Sequence, residues 1–317
     1  FAAATAAVEL GVPRDRIATI GAGVEPQFVP PDRDRRPPPT RVLPAGIGDY
    51  VVSVTGGDER KNTHGLLRAW AELPADVRTR HRLVVVAAHD VNVLRRWRTW
   101  AEEAGVADEV VFTGAVTDDE MVALLQGARL AVMPSIEEGF GLPVLEAVAC
   151  GCPAICSGVS SLPEVLDEPA ACFDPHDPTS IARAIERGLT DEAHRAVLSS
   201  AGRRAVERWT WPSVARASVD ALGELGPRFP GQPRATSRTI GLAGPYEGSE
   251  SGIGPYDDRI ADALDRRLAE RGDELVRFVD LTGTADGSDA GASPGHRWPA
   301  RTIGRFVPPW DIDHVVV

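Results

Sequence analysis

From residue 50 onward the sequence alternates short, continuously apolar runs with segments of helical spacing, and this alternation constrains the fold most. The runs at 50–55, 82–88, 109–113, 130–134 and 153–156, with a shorter one at 170–173, read as strands. Between them, 63–72, 91–104, 118–126, 143–150 and 179–189 read as helices, and two more helices follow at 192–208 and 212–225. A strand apolar on both faces is buried on both faces. Such strands, joined by helices, build a parallel sheet covered on each side, a doubly wound α/β domain. Ligands of such sheets sit beyond the carboxyl ends of the strands, where strand order reverses. The loops to search are therefore 56–62, 88–91, 113–118 and 135–143.

A chain of 317 residues is long enough for two domains. With 34 basic and 46 acidic residues its net charge is −12, which argues against general binding of nucleic acid or anionic membrane. A small anion then needs a local positive site. Apolar runs such as 83–88 fall far short of the ~20 residues that span a bilayer, and no secretory leader is visible. The start at Phe1 and the apolar run at 315–317 predict a piece of something longer. Cys150, Cys152 and Cys156 lie close together, but the Ala-Cys-Gly-Cys-Pro-Ala-Ile-Cys context reads as a helix end, a turn and a buried strand. Together with Cys172 they are expected to be core thiols of a reducing cytoplasm, with no metal.

Residues 1–24 read as a helix tail, a proline turn and a short strand, and 25–48, with prolines at 37–39, as a linker or surface segment. A second linker is expected at 226–237. A new α/β pattern opens beyond it: a strand from 239, a glycine-rich loop at 241–254, a helix at 256–271 and a strand at 274–280. A flexible loop at 283–300 and the start of a further strand at 313–317 follow.

The most informative stretch is 135–146, Ser-Ile-Glu-Glu-Gly-Phe-Gly-Leu-Pro-Val-Leu-Glu. A strand ends, a loop carries two acids and two glycines, and a helix opens at Pro143, taken as its first residue. Gly139 and Gly141 let other groups approach the backbone closely. The N–H groups of the 140–143 turn, backed by the helix dipole, make an anion site. Glu138 in the loop and Glu146 one turn into the helix suit hydroxyl pairs, one on ribose and one on a sugar. A helix carrying an acid near its N-terminus for stability alone explains the pattern equally well. Lys61, the only lysine of the chain, shifts the balance, because it follows the first core strand and puts a flexible point charge at the carboxyl edge.

These residues resemble the C-terminal, donor-binding half of a family 4 retaining glycosyltransferase of the GT-B fold. The matching stretches are Gly56-Gly57-Asp58-Glu59-Arg60-Lys61-Asn62, Val111-Phe112-Thr113-Gly114 followed by 117–120, 134–146, 149–153, Ser160-Ser161 through Val165, and Phe173-Asp174-Pro175. The likeness runs in order over about residues 10–225. It implies a Rossmann-like, metal-independent hexosyltransferase of glycan biosynthesis that takes a nucleotide diphosphate sugar as substrate and needs no cofactor. Lys61 and Glu138 would be catalytic, Lys61 holding the diphosphate and Glu138 facing the transferred sugar. Gly56, Gly57, Val111, Thr113, Gly139, Phe140, Gly141, Leu142 and Glu146 would complete the donor site, with Val111 to Gly114 at the base and Glu146 at the ribose. Relatives place an arginine where this chain has Gly56, and Arg60 is expected to point away.

The implied organisation is 1–48 as the end of an acceptor-side domain with its linker, 49–225 as the donor domain, 226–237 as a linker and 238–317 as the truncated start of a second N-terminal GT-B domain. The acceptor, whether glycan, lipid or small molecule, would be held by residues before Phe1, as would any peripheral membrane contact. The fragment alone is expected to bind donor weakly and transfer nothing. Two rival readings are a non-catalytic nucleotide-sugar-binding module of a tandem protein and a GT-B-fold nucleotide-sugar epimerase. The first draws on Gly56; the second lacks the Glu138-Gly-Phe-Gly arrangement.

Overall fold

The computed structural model describes residues 1–9, 14, 17–31, 41–87, 91–224, 239–244, 266, 268–270, 274–279, 297–299 and 314–316. The linkers read around prolines 37–39 and at 226–237, most of the 88–91 loop, the glycine-rich loop beyond 244 and most of the 256–271 helix lie outside them. The chain divides into two compact units, Phe1–Val12 with Val24–Trp209, and Pro13–Gly23 with Thr210–Val317.

The first unit begins with α1 (Ala2–Glu9) and then builds on six strands: β1 (Asp49–Val54), β2 (His81–Val86), β3 (Val110–Phe112), β4 (Leu130–Met133), β5 (Ala154–Ser157) and β6 (Cys172–Phe173). All pair in parallel, in the order β3-β2-β1-β4-β5-β6. The chain runs outward from β1 to β3 and then returns to the other side of β1. The reversal therefore falls between β1 and β4, and sheets of this kind bind ligands beyond the carboxyl ends at such a point.

The helices are α2 (Thr63–Glu72), α3 (Ala75–Arg80), α4 (Val91–Glu103), α5 (Asp118–Gly127), α6 (Leu142–Ala149), α7 (Leu162–Leu166), α8 (Pro178–Thr190) and α9 (Glu192–Arg208). In one helical layer α2 packs between α4 and α8, and in the other α6 packs between α5 and α9. Between the layers, Val51, Val52, Leu83, Val84, Leu130, Leu145 and Ile155 are buried almost completely. This explains why the strands read as unbroken apolar runs. Side-chain caps fix several helix starts. Thr117 and Glu120 form a reciprocal box at α5, Asp177 caps α8 and Asp191 caps α9.

Three expectations change. Residues 17–24 form no strand. Helix α3, unforeseen, sinks Val77 into the core behind Pro74 and ties Arg78 to Glu109 at 2.7 Å, too short a stretch to show helical periodicity. In the second unit, β7 (Thr239–Gly244), β8 (Glu274–Val279) and β10 (His314–Val316) occupy the expected strand positions, after α10 (Trp211–Glu224). However, β9 (Arg297–Pro299) lies inside the stretch read as a loop. It pairs with β8 in a parallel sheet of order β10-β7-β8-β9, and the polar composition around it hid a three-residue edge strand.

Candidate functional site

The turn after β1 carries Lys61. Asp58 accepts a hydrogen bond from the Arg60 N–H at 2.9 Å and opens a one-turn 3-10 helix, Glu59–Lys61. The Arg60 guanidinium folds back on Asp58 at 2.8 Å, holds that carboxyl below its ordinary range and stays solvent-exposed, as expected of it. Lys61 turns the other way, its stem resting on Gly56, where an added Cβ would meet Lys61 Cγ at 3.5 Å. Gly56 thus supplies the floor beneath the lysine, and Gly57 accepts a hydrogen bond from Arg96 at 3.3 Å.

The loop after β4 carries Glu138. Lys61 Nζ donates to Glu138 Oε1 at 2.5 Å, and the buried Ser135 hydroxyl donates to the same oxygen at 3.2 Å. Two further contacts weld the loops together. Ile136 N–H donates to the Arg60 carbonyl at 2.7 Å, and the Asn62 amide donates to the Pro134 carbonyl at 3.1 Å. The same Asn62 amide reaches the Pro175 carbonyl beyond β6 at 2.8 Å, while its oxygen caps α2 through Gly65. The far side of the Glu138 loop is held by two serines. Glu138 N–H donates to Ser160 Oγ at 3.1 Å, and Ser161 Oγ donates to the carbonyls of Glu138 and Phe140 at 2.8 and 2.9 Å.

Gly139 is exposed, and Phe140 meets Trp209 edge to face at 5.0 Å. Gly141 caps α6 with φ 107, a backbone that disfavours any side chain, and a Cβ there would come within 2.5 Å of Leu162. Leu142 is therefore the first helical residue, so the helix starts one residue earlier than expected and Pro143 is its second residue. Pro143 has no N–H, so the anion-facing donors of this turn end at Leu142, which corrects the expectation of donors through 143. The N–H groups of Phe140, Gly141 and Leu142 have no acceptor among the described residues. Glu146 is buried in the helix one turn further on. Val111 pairs with Val84 inside the β2–β3 ladder, and Thr113 leaves it with its hydroxyl on the Gly114 carbonyl at 2.9 Å.

The structure thus brings Lys61 and Glu138 into direct contact and seats Gly139 to Leu142 and Glu146 on the same loop and helix. Val111 lies within β3, two strands away from β1, and Thr113 follows the carboxyl end of that strand. Asn62, Ser160 and Ser161 carried no assigned role in the sequence, although each lay in a matching stretch. An asparagine directly before a helix, a favoured capping residue, is the signal that could have marked the first. The four cysteines are free thiols, and no cluster of metal-ligating side chains occurs among the described residues. Nor does any described helix have the length and apolarity to cross a membrane. Chemically, an ammonium, a row of open N–H groups and two carboxylates can hold an anion beside hydroxyl groups.

Residues 46–205 match the family model of glycosyl transferases group 1. The serotype-specific mannosyltransferase WbdA of Escherichia coli is 35% identical over 178 residues, 56% of this chain and 22% of that protein. The O-antigen chain mannosyltransferase B of Escherichia coli is 30% identical over 217 residues, 66% of this chain and 55% of that protein. Among solved structures, the sucrose-phosphate synthase of Thermosynechococcus elongatus superposes with a TM-score of 0.56 at 29% identity, over 65% of this chain and 52% of that one. A glycosyltransferase from Rickettsia africae shares the fold, with a TM-score of 0.59 at 15% identity over 70% of this chain and 60% of that one. The chain spans about a fifth of WbdA and about half of the O-antigen enzyme.

Proposed function

This chain belongs to the glycosyl transferases group 1 family, and from that premise we propose that its six-stranded domain is the donor half of a retaining, family 4 glycosyltransferase. The donor is a nucleotide diphosphate sugar. Its diphosphate lies against Lys61 and the open N–H groups before α6, its ribose against Glu146, its sugar against Glu138 and its base along 111–114. Lysine and amides then neutralise the departing diphosphate without a divalent metal. Two mannosyltransferases among the relatives make nucleotide-linked mannose the first donor to test. The enzyme is placed in the cytoplasm. The acceptor, a glycan, lipid or small molecule, together with any peripheral membrane contact, is assigned to the other half of the enzyme. The domain organisation follows the sequence: 49–225 is the donor domain, and 238–317 opens a second domain of the same family.

One observation carries this reading: the sole lysine meets Glu138 at 2.5 Å at the point where strand order reverses. The test is calorimetric titration of the intact chain with nucleotide sugars. Lys61→Ala is expected to weaken the cognate donor roughly ten- to a hundredfold, the range of a charged hydrogen bond. Glu146→Ala is expected to weaken nucleotide and nucleotide sugar alike, and a chelator is expected to change nothing. Equal affinities for the parent, Lys61→Ala and Glu146→Ala would remove the assignment.

A further inference from the structure

The donor-site reading gives Lys61 to a phosphate and Glu138 to a sugar, yet the two side chains are bound to each other at 2.5 Å. Their side chains are only 24% and 12% exposed, so solvent does little to dilute the contact. The carboxylate cannot easily leave. Its loop is pinned through its own N–H to Ser160, through its carbonyl to Ser161 and through Ser135 to the carboxylate itself. Ser160 sits in the left-handed region, at φ 56, and its hydroxyl oxygen accepts from that N–H.

We propose that Glu138 is a specificity residue that disfavours the bare nucleoside diphosphate at Lys61 while admitting the same nucleotide carrying a sugar. The inference rests on the donor-site reading and extends it. The ammonium and the carboxylate together form a neutral pair, so an arriving phosphate meets a lysine whose charge is already answered. If the phosphate takes the ammonium from Glu138, the carboxylate stays within a few ångströms of the phosphate, because its loop is held by Ser160 and Ser161. Glu138 then keeps a single hydrogen bond, from Ser135, and faces a like charge. A sugar on the diphosphate reverses this. Its hydroxyls are donors, and a carboxylate needs donors, so the phosphate replaces Glu138 on the lysine while the hydroxyls replace the lysine on Glu138. The exchange is complete only for the sugar nucleotide. After transfer the sugar is gone, Glu138 recaptures Lys61, and the leftover nucleotide is expelled.

Uridine, guanosine and adenosine diphosphates, each alone and as its hexose conjugate, are titrated into the intact parent chain and into Glu138→Gln, Glu138→Asp and Lys61→Ala. Melting curves confirm that each variant is folded. Glu138→Gln keeps the shape and removes the charge. It is expected to bind the bare diphosphate of the preferred base about tenfold tighter than the parent does, or more. Its affinity for the conjugate is expected to weaken, because the sugar hydroxyls lose their carboxylate acceptor, so the preference for the conjugate collapses. Glu138→Asp keeps the charge and is expected to go on disfavouring the bare diphosphate. Lys61→Ala loses both ligands. If Glu138→Gln binds the bare diphosphate no tighter while Lys61→Ala still loses it, the inference is overturned and the donor site stands. If Glu138→Asp tightens as much as Glu138→Gln, charge is not the cause and the inference again falls. If neither the parent nor Glu138→Gln binds any of the ligands, the donor site itself is wrong and the inference falls with it.

Discussion

Asn62 joins three loops, and its replacement should loosen all of them. Its amide donates to Pro134 and Pro175, its oxygen accepts from Gly65 N–H at 3.2 Å, and its backbone sits at φ 54, ψ 36. Three neutral hydrogen bonds are together worth roughly 2–4 kcal/mol. Alanine loses them and must also hold a left-handed backbone, at a further cost of roughly 1 kcal/mol. Asn62→Gly loses the same bonds but tolerates the backbone, so it should be the milder of the two by about that last amount.

Gly65 sharpens the test. Alanine for glycine in a helix ordinarily stabilises by roughly 0.5–1 kcal/mol. At Gly65 the new Cβ would lie 2.4 Å from Asn62 Oδ1, so Gly65→Ala pushes the cap off and destabilises instead. In the Asn62→Gly background that obstacle is gone, and the same substitution should become stabilising. Urea unfolding of the intact chain, followed by tryptophan fluorescence and read at unchanged m-value, gives all four corners of this double-mutant cycle. A Gly65→Ala effect of the same sign in both backgrounds would refute the reasoning, as would equal stability of Asn62→Ala and Asn62→Gly.

Gly141→Ala combines φ 107 with a Cβ 2.5 Å from Leu162, and is expected to lose about 2–4 kcal/mol in the same urea assay; a loss under 1 kcal/mol contradicts the strain argument. Burial, and then Arg187, hold the pKa of His194 below its ordinary value, so the folded chain resists a proton that the unfolded chain accepts. The associated stability is present above about pH 6.5 and is lost as pH falls below it, by at most about 1.4 kcal/mol per pH unit. Melting temperatures between pH 7.5 and 5.5 should therefore drop for the parent and flatten for His194→Gln, whereas parallel curves would assign the slope to other groups. Burial, with Glu146 nearby, pushes the Cys150 thiol up to about 12, and Cys152 and Cys156 are raised as well. The half-buried Cys172 is lowered by a hydrogen bond from Cys156. Peptide mapping after brief alkylation of the native chain should find Cys172 labelled first, and prior labelling of Cys150 contradicts this.

The strands and long helices could be read from the sequence because their pattern reports burial, and burial is a local property of each residue. Val51, Val52 and Leu83 are apolar wherever the sheet order places them. The order itself could not be read: nothing within β1 or β4 says that they are neighbours, yet that adjacency sets the point where strand order reverses. Helix α3 and strand β9 escaped for a related reason, since six and three residues are too few to display a period.

The site divides along the same line. Chemical capacity was visible: a single lysine at a carboxyl edge and acids flanking a glycine-rich helix start admit few uses. Partnership was not. Lys61 and Glu138 are 77 residues apart, and Asn62 reaches a carbonyl 113 residues away, distances over which no local pattern carries information. Reading each charge by its capacity gave each its own ligand, when the folded protein first gives them to one another. That is the general hazard of assigning ligands to charged residues one at a time. A partly buried charge does not wait unpaired, so the affinity of such a site is the difference between its ligand and the partner already in place. Glu138 must therefore be judged as the competitor of the phosphate as well as the acceptor of the sugar.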